Sequence, residues 1–176
     1  MNKMAISENF KTNLHDLIIL NEHSGTNHTI LAKSMNIDYR TFSNAFNYGI
    51  IPKPISLSHI ADFFGISIEY LLGETDDEYF EKAKIPSDFH TRFEKLRGTT
   101  SYYEIAKTCD FDKSMCSKWK TKKHIPSLDI LRALAKHFNV SMDYLLGRTD
   151  DPTPYDDLDS NKLCLSLLNF KIDSSN

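Results

Sequence analysis

Apolar residues recur along the chain at intervals of three and four. Phe10, Leu14 and Leu17 share one helical face, and Phe89, Phe93 and Leu96 repeat the same spacing further on. Two more amphipathic helices are predicted around Leu57, Ile60, Ala61 and Phe64, and around Leu128, Leu131, Leu134, Ala135 and Phe138. Polar residues punctuate these runs. Ser101 and Glu104 stand at capping-box spacing, and Asn27 is a candidate cap at the corresponding earlier place. Asn36 and Asp110 tolerate the left-handed conformation of a sharp turn, and Asp38 and Asp112 then cap a following helix. Pro52 and Pro126 break the chain before helices for which Ser56 and Ser127 are candidate caps. A last short helix in each set starts at Ser67 or Ser141 and stops at Gly73 or Gly147.

These marks fall in pairs because the chain repeats itself. Residues 31–77 lie over 105–151 with a shift of 74 and no gap, and the match ends in Ser67–Asp77 over Ser141–Asp151. The period exceeds that of stacked solenoid units, so each copy is expected to be a small domain of five short helices. The predicted layout is all-α: a first domain over 1–75, a linker over 76–86, a second domain over 87–151 and a tail over 152–176. The connection Glu74–Pro86 reads either as a short helix docked through Tyr79 and Phe80 or as a loose tether. Ten extended residues span at most ~35 Å. In the tail, Leu163–Phe170 is too short to form a core alone, and it is expected to pack on a domain or a partner.

The stretch Asp112–Lys123 fits a helix that ends in lysines, where they complement the helix macrodipole. With Cys116 inward, Ser114, Ser117, Lys118 and Thr121 point outward, while Met115 and Lys122 lie on the flanks. The outer face carries hydroxyls and cations and no carboxylate, which suits a polyanion. Ahead of it, Ala106 sits mid-helix and Asp110 makes a tight turn, giving the layout of a helix-turn-helix.

The ordered set Ile105-Ala106-Lys107, Phe111-Asp112, Ser117-Lys118-Trp119, Pro126-Ser127, Leu131, Leu134-Ala135 and Val140–Gly147 resembles the helix-turn-helix domain of phage Cro and repressor proteins, the broad XRE-type group of bacterial regulators. The first copy carries the resemblance through Leu31-Ala32-Lys33, Pro52, Ile60-Ala61 and Tyr70–Gly73, but has Ala45 at the place of Trp119. The resemblance implies two lambda-repressor-like domains whose third helices enter the DNA major groove. On that basis Lys118, Lys122 and Lys123 are expected at phosphates or guanine edges. Ser114, Met115 and Ser117 are expected near base edges, and Lys107, Lys113 and Tyr102 at the DNA backbone. The matching residues of the first copy are Arg40, Ser43, Asn44 and Asn47, with Tyr39 and Thr41 beside them and His28 at the place of Tyr102.

Charge divides along the chain. The net charge is −3. Residues 1–83 carry −5, residues 84–151 carry +4 and residues 152–176 carry −2. The second copy is therefore the basic one. The three cysteines form no Cys-x-x-Cys motif, and Cys109 and Cys116 align with the apolar Met35 and Phe42, so a packing role in a reducing, cytoplasmic setting is expected. Met1–Phe10 lacks the apolar block of a secretion signal, and no run approaches a membrane span. His23 and His28 have no third ligand nearby, so neither metal nor cofactor is expected. With no phosphate-cradling loop, nucleophile elbow or catalytic carboxylate pair, an enzyme is not expected. The expected partner is double-stranded DNA, with a homodimer formed through the tail or the first domain. The rival expectation is an antitoxin-like protein-interaction module that uses the apolar tail.

Overall fold

The computed structural model describes residues 3–21, 23, 25–120 and 124–155, with the backbone alone for 3–6. Among these residues there are ten helices and no strand: α1 (Lys3–Leu20), α2 (His28–Ser34), α3 (Tyr39–Tyr48), α4 (Pro54–Phe64), α5 (Ile68–Leu71), α6 (Phe89–Arg97), α7 (Tyr102–Thr108), α8 (Ser114–Trp119), α9 (Leu128–Phe138) and α10 (Met142–Leu145). The all-helical class is thus as expected. Lys122, Lys123 and the segment Leu163–Phe170, with its expected dimer contact, lie outside the described residues.

The periodic apolar residues form one continuous core. Phe10, Leu14 and Leu17 of α1 are buried with Phe42, Leu57, Ile60 and Leu71, and Phe89 and Phe93 of α6 with Ile105, Trp119, Leu131 and Leu145. Polar punctuation sets the helix ends. Asn27 Oδ1 accepts the Thr29 N–H at 2.8 Å, and Ser101 and Glu104 complete a reciprocal capping box. Asn36 and Asp110 both have φ 54°, and the next residue donates back five positions, Ile37 N–H to Ala32 O and Phe111 N–H to Ala106 O. That bond closes each helix in a Schellman-type turn without glycine. Gly147 has φ +74°, and a Cβ there would run into the carbonyl of Ser87, so glycine is needed for α10 to end against the start of α6.

Three expectations are corrected. Ser56 does not cap α4: Pro54 occupies the first turn, where its missing N–H costs nothing, and Lys53 becomes the N-cap. Ser127 does hold the N-cap position of α9, without a side-chain cap bond. The helix read over Asp112–Lys123 starts later. Asp112 Oδ1 takes the Ser114 N–H only two residues on, and Met115 N–H and Cys116 N–H donate back three positions. This tighter opening turn delays α8 to Ser114. Asp38, by contrast, takes the Thr41 N–H three residues on, and α3 follows directly. The connection between the helix sets is neither a helix nor a loose tether. It is an extended strap on the end of the second set: Ala83 N–H donates to Arg148 O at 2.7 Å, Lys84 N–H to Asp150 Oδ2 at 2.9 Å, and the Arg148 guanidinium lies 4.5 Å over the Phe80 ring.

The two sets meet through α5 and α10. Glu69 Oε1 accepts the N–H of Met142 at 2.6 Å, and Asp143 Oδ2 accepts the N–H of Ile68 at 3.0 Å. Arg148 bonds Asp143 Oδ1 through Nη1, Asp62 Oδ1 at 3.0 Å through Nε and Ile66 O at 2.9 Å through Nη2. Glu74 Oε1 accepts from Arg132 Nε at 2.7 Å, and Tyr155 OH donates to Asp143 Oδ2 at 3.2 Å.

Burial raises the pKa of the Glu69 carboxyl well above the usual carboxylate range, and the nearby Asp143 charge raises it further. Asp143 is raised by burial too, against the pull of Arg148. The folded junction therefore favours the proton-bound form of Glu69. Its contribution to stability is complete below the ordinary glutamate pKa of ~4.3 and is lost as pH rises through the raised folded value. Glu69→Gln retains an oxygen for the Met142 N–H and needs no proton. Its unfolding midpoint, measured by denaturant titration, will fall less with rising pH than that of the native chain. Equal slopes would remove the proton from Glu69.

Candidate nucleic-acid interface

Ala106 of α7 is buried, and Cys116 and Trp119 turn inward beneath α8. Trp119 is 1% exposed and meets Phe89 and Phe93 edge-on at 5.4 Å, with Phe111 tilted at 5.2 Å. The ring fixes the underside of α8. Ser114, Ser117 and Lys118 lie exposed on the opposite side, flanked by exposed Lys113 and Lys120, and α8 itself carries no carboxylate. Met115 is half-buried, with its Sδ 4.0 Å from Lys118 Nζ. Lys107 is exposed on α7. At the head of α8, the hydrogen bond from Ser114 N–H holds the Asp112 carboxyl below its ordinary pKa.

Tyr102 is half-buried and held within its own helix set. Its hydroxyl donates to Glu94 Oε1 at 2.6 Å, its ring stacks near Phe93, and Arg97 and Lys120 lie over it at 4.6 and 4.8 Å. Tyr103 takes the outward place. It is 61% exposed, with Lys113 Nζ 5.9 Å from its ring centroid. The sequence pattern passed over Tyr103 and Lys120, yet the spacing contained the signal: Tyr102 is three and four residues before the buried Ile105 and Ala106 and so shares their face.

On the first helix set, Tyr39 and Arg40 are exposed at the start of α3. Thr41 is tied to Asp38 by its hydroxyl at 2.6 Å, a bond that lowers the Asp38 pKa. Asn47 Nδ2 donates to the Ser43 hydroxyl at 3.0 Å. Asn44 lines a shallow cleft with Ile50, Pro52 and Lys53. His28 packs inward, its ring centroid 5.3 Å from Phe42 and 4.6 Å from Phe46.

Burial pushes the thiols of Cys109 and Cys116 up, away from the reactive thiolate. Among the described residues, no three His, Cys, Asp or Glu side chains converge as a metal set, and no helix is long and apolar enough to cross a membrane.

Residues 95–145, which contain α7 through α10, match the model of the helix-turn-helix family. An uncharacterized HTH-type transcriptional regulator of Bacillus subtilis (strain 168), YobD, is 39% identical over 51 residues, 29% of this chain and 46% of that protein. The chain thus spans less than half the length of this curated relative. No solved structure matches the chain.

The inner and outer faces of α8 separate in a stability measurement. Trp119→Ala removes the ring that seats the helix and is expected to cost ~3–5 kcal/mol in chemical denaturation. Lys118→Ala, on the exposed side, is expected to stay within ~0.5 kcal/mol of the native chain.

Proposed function

We propose that the chain is a sequence-specific DNA-binding transcriptional regulator of the Cro and repressor type, built from two tandem helix-turn-helix domains. The observation that carries this reading is the exposed, carboxylate-free face of α8, seated by Trp119 within the segment that matches the helix-turn-helix family. The name of the similar Bacillus subtilis protein, an HTH-type transcriptional regulator, supports regulation of transcription as the setting. The proposal extends to repression of the chain's own or a mobile element's promoter.

Each residue has a physical task. α8 lies in the major groove, with Ser114, Met115 and Ser117 at base edges and Lys118 at a guanine edge or phosphate. Lys107, Lys113, Lys122 and Lys123 neutralise phosphates and release counterions, giving affinity that falls with salt. α3 reads a second groove through Arg40, Ser43, Asn44 and Asn47, the asparagines matching the donor–acceptor pair of adenine. Tyr39 and Thr41 flank that face, and Tyr103 supplies the phosphate contact first expected of Tyr102. Tyr102 and His28 support their reading helices from within.

Binding is tested by titrating a duplex selected from a random pool. Lys118→Ala is expected to weaken binding to the selected duplex by ~1–3 kcal/mol. If Lys118 contacts a phosphate, the slope of log affinity against log salt also becomes shallower by ~1. A loss below ~0.3 kcal/mol, well under the lower end for a direct contact, means that another element reads the DNA.

A further inference from the structure

The reciprocal bonds between α5 and α10 define a symmetry. The shift of 74 that relates the copies carries Ile68 to Met142 and Glu69 to Asp143. Glu69 accepts from Met142, while Asp143 accepts from Ile68. Exchanging the copies therefore returns the same pair of bonds. Only a two-fold relation does this; a head-to-tail arrangement pairs unlike surfaces. A second pair of contacts follows the relation at the level of helices, although Asp62 and Arg132 are not themselves counterparts under the shift. Glu74 reaches Arg132 on α9, and its counterpart Arg148 reaches Asp62 on α4. The position following the glycine of each set thus grips the long fourth helix of the other set.

The charges break the symmetry in one direction. Glu74 is replaced by Arg148, Asp62 by Lys136 and Ser58 by Arg132. Two first halves meeting by this geometry would bring Glu74 against Asp62, and two second halves would bring Arg148 against Arg132 and Lys136. Each half is repelled by its own copy and attracted by the other, which is specificity by repulsion as well as attraction.

We infer that the chain is its own dimer: as a single molecule it reads two unlike half-sites in inverted orientation. The inference rests on the reading of α3 and α8 as DNA-reading helices. A two-fold relation between the sets presents α3 and α8 to DNA in opposite senses, and the operator mirrors that symmetry. Their faces differ, with Arg40, Ser43, Asn44 and Asn47 on one and Ser114, Met115, Ser117 and Lys118 on the other. The half-sites are therefore unequal, and the surface used by the internal pairing is unavailable for a symmetric homodimer.

The test uses the full chain and a duplex selected from a random pool. Three derivatives keep the α8 half-site while the second half-site is retained, reversed in place or randomised, and stoichiometry is read by light scattering. One chain per duplex is expected, with the retained duplex bound ~100-fold more tightly than the reversed or randomised one, the gain of linking two reading heads. Arg132→Glu, which sets like charge against Glu74, is expected to lose at least tenfold of that gain. The exchange R132E with E74R restores it, which separates docking from folding. Equal or better binding of the reversed duplex, two chains per duplex, or no gain from the second half-site would overturn the inference and leave DNA binding standing. Failure to enrich any duplex would overturn the proposed function as well.

Discussion

The structure depends on two carboxylates that finish each other's helices. α5 and α10 are four residues each, too short to offset the cost of nucleation. Ser67 and Ser141 take the N–H groups of Tyr70 and Tyr144, and the first N–H of each helix is taken from across the junction by Asp143 or Glu69. Neither helix is complete without the other set. Burying two acids together is unfavourable on its own and raises the pKa of both, and Arg148, Tyr155 and the backbone donors offset that cost. Such a cluster adds less to net stability than to the choice of one docking arrangement, because any slip leaves a buried charge unpaired.

α3 and α8 are seated by different packing. At the inner positions of α3 stand Phe42 and Ala45; at the matching positions of α8 stand Cys116 and Trp119. The large residue has moved one turn along the helix and the small one has taken its place, so the bulk beneath each helix is kept. Around Phe42 the space is filled by Phe46, His28 and His15, the last stacked on Phe46 at 4.0 Å. Around Trp119 it is filled by Phe89, Phe93 and Phe111. Cores tolerate such exchanges when volume and patterning persist. Ala45 thus says nothing against the orientation of α3, although it removes the most recognisable residue of the pattern.

Much of the local chemistry was legible in the sequence where a residue acts within four positions of itself. The capping box at Ser101, the left-handed turns at Asn36 and Asp110 and the glycine stop at Gly147 all read directly, since each is a bond or dihedral that neighbouring residues decide. The inward or outward choice was legible too for Cys116, Ser117 and Lys118, while the inward lean of Tyr102 and His28 follows from aromatic neighbours on other helices. What could not be read was everything settled at a distance. Glu69 and Asp143 look like exposed first-turn acids, and nothing local says that each serves the other's backbone. The strap at Phe80 depends on Arg148, 68 positions away in sequence. The late start of α8 turned on which N–H Asp112 accepts, a choice between two residues on and three.

A charge count by segment does not describe the surface around α3 for a related reason. Its balance of −5 looks hostile to DNA, yet the acids have identifiable places. Asp62 and Glu74 meet Arg148 and Arg132 at the junction, Glu69 is enclosed there with its pKa raised by burial, Glu78 accepts from Tyr70, and Asp38 is bound to Thr41. None of them stands on α3, whose only charged residue is Arg40. Coulomb interactions fall off within ~8–10 Å at ordinary ionic strength, so the potential near α3 is set by what surrounds it and not by the segment total. Opposite net charges on the two sets therefore serve their attraction to each other, while α3 and α8 each keep a face without carboxylates.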